Sequence, residues 1–164
     1  TKLEGERAVL RILGEKGLVV RTASLYGHRG ANFVGTMLKL FGERERVSVV
    51  ADQWMSPTWT GYFAEVVLDL CRIPCSGVLH AACEGAVSWF NFAEAIARLS
   101  SVRLPSGERA IVEPTKAEAF SRPARRPRYS ALDCGKLSVL LGRPSLHWEV
   151  ALKEYLQEIG KDRL

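Results

Sequence analysis

Short β-branched apolar runs separated by stretches with helical spacing constrain this chain more than any other feature. Leu18-Val19-Val20-Arg21-Thr22, Val47-Ser48-Val49-Val50-Ala51 and Val78-Leu79-His80-Ala81 each read as a strand, the first and third launched from Gly17 and Gly77. Runs with so little polar alternation suit a sheet covered by helices on both faces. Between them, Phe33, Val34, Met37, Leu38 and Phe41 predict a helix ending near Gly42, and Phe63, Val66, Val67 and Leu70 predict another entered at Pro57-Thr58. Ser88 is placed to cap a helix carrying Trp89, Phe92, Ala93 and Ile96 on one face. Two further helices close the chain, one near Asp133 to Leu141 and an amphipathic one with Trp148, Ala151, Leu152 and Tyr155. From Ser101 to Tyr129, with Pro105, Pro114, Pro123 and Pro127, the pattern predicts mostly loop, with Ala110-Ile111-Val112 as its strand candidate. The alternation predicts an α/β architecture, and the thin sheet would leave an apolar edge on its first strand unless another segment covers it. Thr1 to Arg7 reads as the middle of a helix with neither an initiator methionine nor a cap, so a preceding segment is expected.

Charge and cysteine usage narrow the partners. A formal charge of +5 and a pI near 9.2 attract anions without separating nucleic acid from a phosphorylated metabolite. Cys71, Cys75, Cys83 and Cys134 lie in a chain of 164 residues with no signal peptide, which favours free thiols in a reducing, cytoplasmic setting. Cys71 and Cys75 with His80 would lack the fourth ligand that tetrahedral zinc needs, so no metal site is expected. No apolar run approaches the roughly 20 residues of a membrane span.

Several kinds of site are excluded by what the chain lacks. Neither G-x-G-x-x-G after a strand nor G-x-x-x-x-G-K-[ST] is present, so the usual phosphate-cradling loop is missing. There is no G-x-S-x-G elbow, and His28, His80 and His147 are far apart in sequence. Arg122, Arg125, Arg126 and Arg128 form the densest positive cluster, read either as a solvated loop or as guanidiniums that fork onto a diphosphate. Trp54, Trp59 and Trp89 suit a core, and Trp54, in an otherwise polar loop, is the one expected near ligand.

Ordered motifs along nearly the whole chain then suggest a family. Thr1 to Glu6 (TKLEGE) resembles the segment after the catalytic tyrosine of extended short-chain dehydrogenases, in the pattern Y-x-x-x-K-x-x-G-E. Leu18 to Gly27 (LVVRTASLYG) resembles the strand and turn beside the nicotinamide, and Asn32-Phe33-Val34 with Met37-Leu38 resembles N-F-V-x-T-M-L. Val49 to Thr58 (VVADQWMSPT) is similar to V-V-x-D-Q-x-x-x-P-T, Ser88 to Ala93 to S-W-x-x-F-A, and Arg126 to Asp133 to R-P-x-Y-S-x-L-D. Taken together they resemble the dTDP-4-dehydrorhamnose reductase family, in its carboxy-terminal part. Ser24 stands where that family often has tryptophan, and Tyr62 where P-T-Y-x-x-D-L-A has its aspartate.

The resemblance implies the carboxy-terminal portion of an NAD(P)-binding, Rossmann-like extended short-chain dehydrogenase. Residues 1–27 would be the last helix and strand of the Rossmann-like core, and residues 28–164 mainly the substrate-binding region with returning core elements. The implied reaction reduces dTDP-4-dehydro-L-rhamnose to dTDP-L-rhamnose with NADPH. Lys2 falls on the catalytic lysine, whose cation lowers the pKa of a tyrosine proton donor; that tyrosine would lie two residues before Thr1. Lys2, Thr22, Ala23 and Ser24 would line the cofactor, and Ser24, Asn32, Gln53, Trp54, Pro57, Thr58 and Arg126 the dTDP-sugar. Alone, the chain is expected to be catalytically incompetent and to bind NADP(H) poorly, its partner being a missing amino-terminal half or a second copy. A non-catalytic binding or regulatory module is the alternative. A nucleic-acid module ranks last, because the basic and aromatic residues form no RNA- or DNA-binding motif.

Overall fold

A computed structural model describes residues 1–120, 124 and 126–161. The chain opens with helix α1 (Lys2–Leu13), a 3-10 turn (Gly14–Lys16), strand β1 (Leu18–Arg21) and strand β2 (Leu25–Tyr26). Helix α2 (Phe33–Glu43) leads into β3 (Arg46–Val50), β4 (Trp54–Met55), β5 (Thr58–Trp59) and helix α3 (Thr60–Leu70). Strands β6 (Gly77–His80) and β7 (Val87–Ser88) precede helix α4 (Trp89–Leu99) and strand β8 (Ile111–Thr115). A second 3-10 turn (Ala117–Ala119), α5 (Gly135–Leu141) and α6 (Trp148–Lys161) follow.

The strands pair as an α/β chain requires. β1 lies parallel to β6, with Leu18 opposite Gly77 and Arg21 opposite His80, and β3 lies parallel to β8, with Val47 opposite Val112 and Val50 opposite Thr115. Parallel partners need a crossover, and helices supply it, with α4 packed on β3 and β8 and against α2. Val47 and Val49, on one face of β3, are buried, while Ser48 between them is exposed. Two-residue ladders, β2 parallel to β5 and β4 antiparallel to β7, tie the connecting loops together.

The core gathers around Phe92, which is 1% exposed. Its ring stacks on Phe33 at 5.8 Å, meets Trp148 edge-on at 5.8 Å and tilts against Tyr26 at 5.7 Å, so one side chain joins α2, α4, α6 and β2. Such aromatic pairs add to what area burial alone contributes. Outside this cluster, Arg21 donates two hydrogen bonds to the Glu6 carboxylate, at 2.9 and 2.5 Å, fastening α1 to β1. This bond holds the Glu6 carboxyl below its ordinary range.

Several sequence expectations shift. The predicted face of α3 rotates: Tyr62, Val66 and Leu70 are buried, while Phe63 and Val67 are only partly so. Tyr62 takes an inward place at 3% exposure, and burial raises its pKa. The 101–129 stretch is less irregular than expected, since β8 runs on to Thr115 through Pro114. A proline is tolerated there because β8 is an edge strand whose outward amide positions need no partner. The helix expected from Asp133 starts at Gly135, and Asp133 instead accepts the Gly135 N–H at 2.8 Å.

All four cysteines are free thiols, Cys71 exposed and Cys83 buried. Among the described residues no helix is long and apolar enough to cross a membrane.

Two outcomes follow from this packing. Phe92→Ala should cost about 3–5 kcal/mol, as large-to-small aromatic substitutions in a closed core do, read from chemical denaturation; a loss under about 1.5 kcal/mol would contradict its central place. Burial pushes the Cys83 thiol from its ordinary 9.0 up to about 12, so its contribution to stability is intact below pH 9 and lost as pH rises toward 12. At neutral pH an aromatic disulfide reagent should therefore label Cys71 in the native protein and reach Cys83 only after denaturant; equal rates would overturn that assignment.

Candidate functional site

Where α2 passes over β3, the chain leaves a cleft of about 640 Å³. Valines of β3 form its floor, Met37 and Leu40 of α2 one wall, and Phe33 and Trp89 another, their rings 4.7 Å apart. Asn32, Gln53 and Arg126 supply the polar groups, and Phe120 faces them. A smaller hollow of about 220 Å³ adjoins it, since Val50, Gln53, Phe120 and Arg126 line both, and it adds Asp52 and Arg128. The smaller hollow sits where the chain leaves β3 and β8, the side on which α/β sheets place ligands, and the larger cleft runs back along β3.

Chemically the two hollows suit something flat at one end and anionic at the other. Aromatic and aliphatic walls favour a ring, and Arg126 and Arg128 offer permanently charged forks for phosphate. Neither histidine nor cysteine occurs among the described residues lining the two hollows.

Asn32 does two jobs. Its Oδ1 accepts the Gly35 N–H at 3.0 Å and caps α2, while its Nδ2 donates to the Gly27 carbonyl at 2.9 Å and the Gly30 carbonyl at 3.2 Å. The Tyr155 hydroxyl also donates to the Gly27 carbonyl, at 3.0 Å. Much of the hydrogen-bonding capacity of the Asn32 amide thus shapes the 27–32 loop. Gly27 itself is required, because a Cβ there would fall 2.1 Å from the Thr60 hydroxyl.

The other predicted residues separate into three places. Lys2 stands exposed in the first turn of α1. Thr22, Ala23 and Ser24 follow the carboxyl end of β1, all partly buried. The Thr22 hydroxyl is buried with no hydrogen-bond partner among the described residues, and Ser24 adopts φ +47°, a left-handed conformation uncommon for serine, while its carbonyl accepts the Thr58 N–H. Pro57 and Thr58 are correctly located as the entry to α3 but lie in the core, away from the cleft. Thr58 is 0% exposed, its hydroxyl donating to the Ser56 carbonyl and accepting the Cys83 N–H at 3.3 Å, so it joins two segments. Trp54 is 41% exposed and outside the cleft walls, because pairing of β4 with β7 turns Met55 inward and Trp54 outward. Of the arginine cluster, Arg122 and Arg125 lie outside the described residues.

The comparisons with known proteins match this geometry to a family. The RmlD substrate binding domain model matches residues 1–161. The chain belongs to that family. The dTDP-4-dehydrorhamnose reductase of Streptomyces griseus is 40% identical over 159 residues, covering 94% of this chain and 51% of that protein. Among solved structures, a dTDP-4-dehydrorhamnose reductase from Clostridium acetobutylicum matches with a TM-score of 0.86 at 39% identity, over 97% of this chain and 54% of that one. The reductase from Bacillus anthracis, solved in complex with NADP, matches with a TM-score of 0.83 at 35% identity, over 96% and 53%. The chain therefore spans about half the length of the relatives it matches. The reductase family and α/β fold read from the ordered motifs are those found.

Within this RmlD-type domain, three cleft residues escaped sequence reasoning. Trp89 reads as core from its helical spacing, yet it opens α4 at the cleft edge. Phe120 sits in a stretch without periodicity, and Asp52 is legible only as the neighbour of Gln53 in VVADQ. Asn32→Ala should destabilise the domain by about 1–2 kcal/mol through loss of the cap. Asn32→Asp, which keeps the acceptor for Gly35, should recover much of that in chemical denaturation; an aspartate no better than alanine would show that the donations to Gly27 and Gly30 dominate.

Proposed function

We propose that this domain is the substrate-binding part of a dTDP-4-dehydrorhamnose reductase and that its cleft takes the nucleotide diphosphate of a dTDP-sugar. One observation carries the reading: Asn32, Gln53 and Arg126, distant in sequence, meet the Phe33–Trp89 ring pair in a single cleft. The thymine ring packs between aromatic and aliphatic walls, and the diphosphate meets Arg126 and, in the adjoining hollow, Arg128. The 4-keto sugar then extends toward the carboxyl end of β1, where Thr22, Ala23 and Ser24 lie.

The cofactor side fits in part. The buried, unpartnered Thr22 hydroxyl at the end of β1 is a polar group in search of a partner, and Lys2 provides the cation that the proton-donating tyrosine needs. NADP(H), when bound, supplies the hydride that reduces the keto carbon. The Lys2 cation would favour the ionised form of that tyrosine, which gives its proton to the sugar oxygen. Without the glycine-rich loop and the tyrosine, these 164 residues bind substrate and do not turn it over.

Calorimetric titration of dTDP and, separately, NADPH into the 164-residue chain tests the reading. Saturable dTDP binding without NADPH binding is expected, and Arg126→Ala should weaken it about tenfold, the equivalent of one charge-assisted hydrogen bond of roughly 1.4 kcal/mol. Absence of dTDP binding, or an Arg126→Ala variant that binds as tightly as the parent, would overturn it.

A further inference from the structure

Three consecutive residues after β3 reach three different parts of the cleft wall. Asp52 Oδ1 accepts the N–H of Ala117 at 2.9 Å. The Gln53 carbonyl accepts the N–H of Trp89 at 3.3 Å, and the Trp54 N–H donates to the Arg128 carbonyl at 2.8 Å. Ser130 adds a backbone N–H at 2.9 Å and its hydroxyl at 3.0 Å, both to the Trp54 carbonyl. The stretch that carries Phe120 and Arg126 is thus fastened at Ala117 before it and at Arg128 after it, with the anchors on either side of Gln53.

Two of these bonds depend on a side chain, the Ser130 hydroxyl at the Arg128 end and Asp52 at the Ala117 end. Ala117 opens the 3-10 turn, and the first amides of such a turn have no partner inside it. A carboxylate is a strong acceptor for one of them and complements the positive end of the turn. The turn is itself closed, with Ala119 N–H to the Lys116 carbonyl and Phe120 N–H to the Ala117 carbonyl, both at 3.1 Å, so a displacement of Ala117 carries Phe120 with it. Asp52 also lines the smaller hollow, where a free carboxylate beside Arg126 and Arg128 would work against an anionic ligand. Committing one of its oxygens to a backbone amide gives the side chain a structural task.

We infer that Asp52 is a positioning residue of the cleft: by capping the Ala117 turn it sets where Phe120 stands against a bound nucleotide. The inference rests on the reading of the cleft as a dTDP site. It concerns an acceptor, not a charge, which separates two substitutions. Asp52→Asn keeps an oxygen for Ala117, whereas Asp52→Ala removes it.

The test measures amide hydrogen exchange at Ala117, the ring resonances of Phe120 and the affinity for dTDP in the 164-residue chain and both variants, with melting temperature recorded for each. Expected are a slow Ala117 amide in the parent and in Asp52→Asn, a fast one with shifted Phe120 resonances in Asp52→Ala, and a dTDP Kd weakened about tenfold in Asp52→Ala but within about threefold in Asp52→Asn, since small misplacements of binding groups are costly. Unchanged Ala117 exchange in Asp52→Ala overturns the inference. So does an Asp52→Asn variant that binds as poorly as Asp52→Ala while Ala117 stays protected, because the charge would then matter and the cap would not. If the parent fails to bind dTDP, the reading of the cleft falls by itself, and exchange at Ala117 with the Phe120 resonances still decides whether Asp52 places the wall.

Discussion

Parallel pairing of β3 with β8 underlies the cleft, because it brings two distant stretches of chain to one edge with their carboxyl ends together. Five residues of β3 match five of β8, and the ladder continues past the strand, with the Ala51 N–H bonded to the Thr115 carbonyl. The placing of Asp52 and Gln53 then follows from chain direction. Asp52, Gln53 and Trp54 leave one strand just as Ala117 to Phe120 leave the other, so their groups meet without any long side chain having to search for a partner. α4 covers the same pair, and its Phe92 binds this layer to α2 and α6.

Polar groups in the interior serve mainly to join segments. Ser56 and Thr58 are buried, yet the Ser56 hydroxyl accepts the Leu132 N–H and the Thr58 hydroxyl accepts the Cys83 N–H. Each satisfies a backbone amide that would otherwise cost free energy in a dry interior. The SPT run therefore fastens the chain entering β5 to the loop before β7 and to the start of the carboxy-terminal region.

How far the sequence reached can be judged element by element. Strands β1, β3 and β6 and helices α2, α4 and α6 were legible because their apolar residues keep one period over four or more positions, and that pattern reflects burial on one face. The two-residue strands were not, since a period needs more residues than they have. Asn32, Gln53 and Arg126 could be nominated through motif resemblance, but they line one cleft through tertiary packing, which no local pattern encodes. The same limit explains Trp54 and Trp89: composition marks both as aromatic residues near polar neighbours, and only strand pairing decides that one turns outward while the other borders the cleft.

Fastening the 117–128 stretch at both feet has a consequence for how such a domain can change over time. The bonds at Ala117 and Arg128 belong to the frame, so residues between them can be exchanged, or their number altered, without disturbing the β3–β8 ladder. Loop-closure entropy grows slowly with length, about 0.6 kcal/mol per doubling, so the frame tolerates such variation cheaply. Phe120 and Arg126 lie inside that interval, which makes it the natural place for new ligand preferences to arise on an unchanged scaffold.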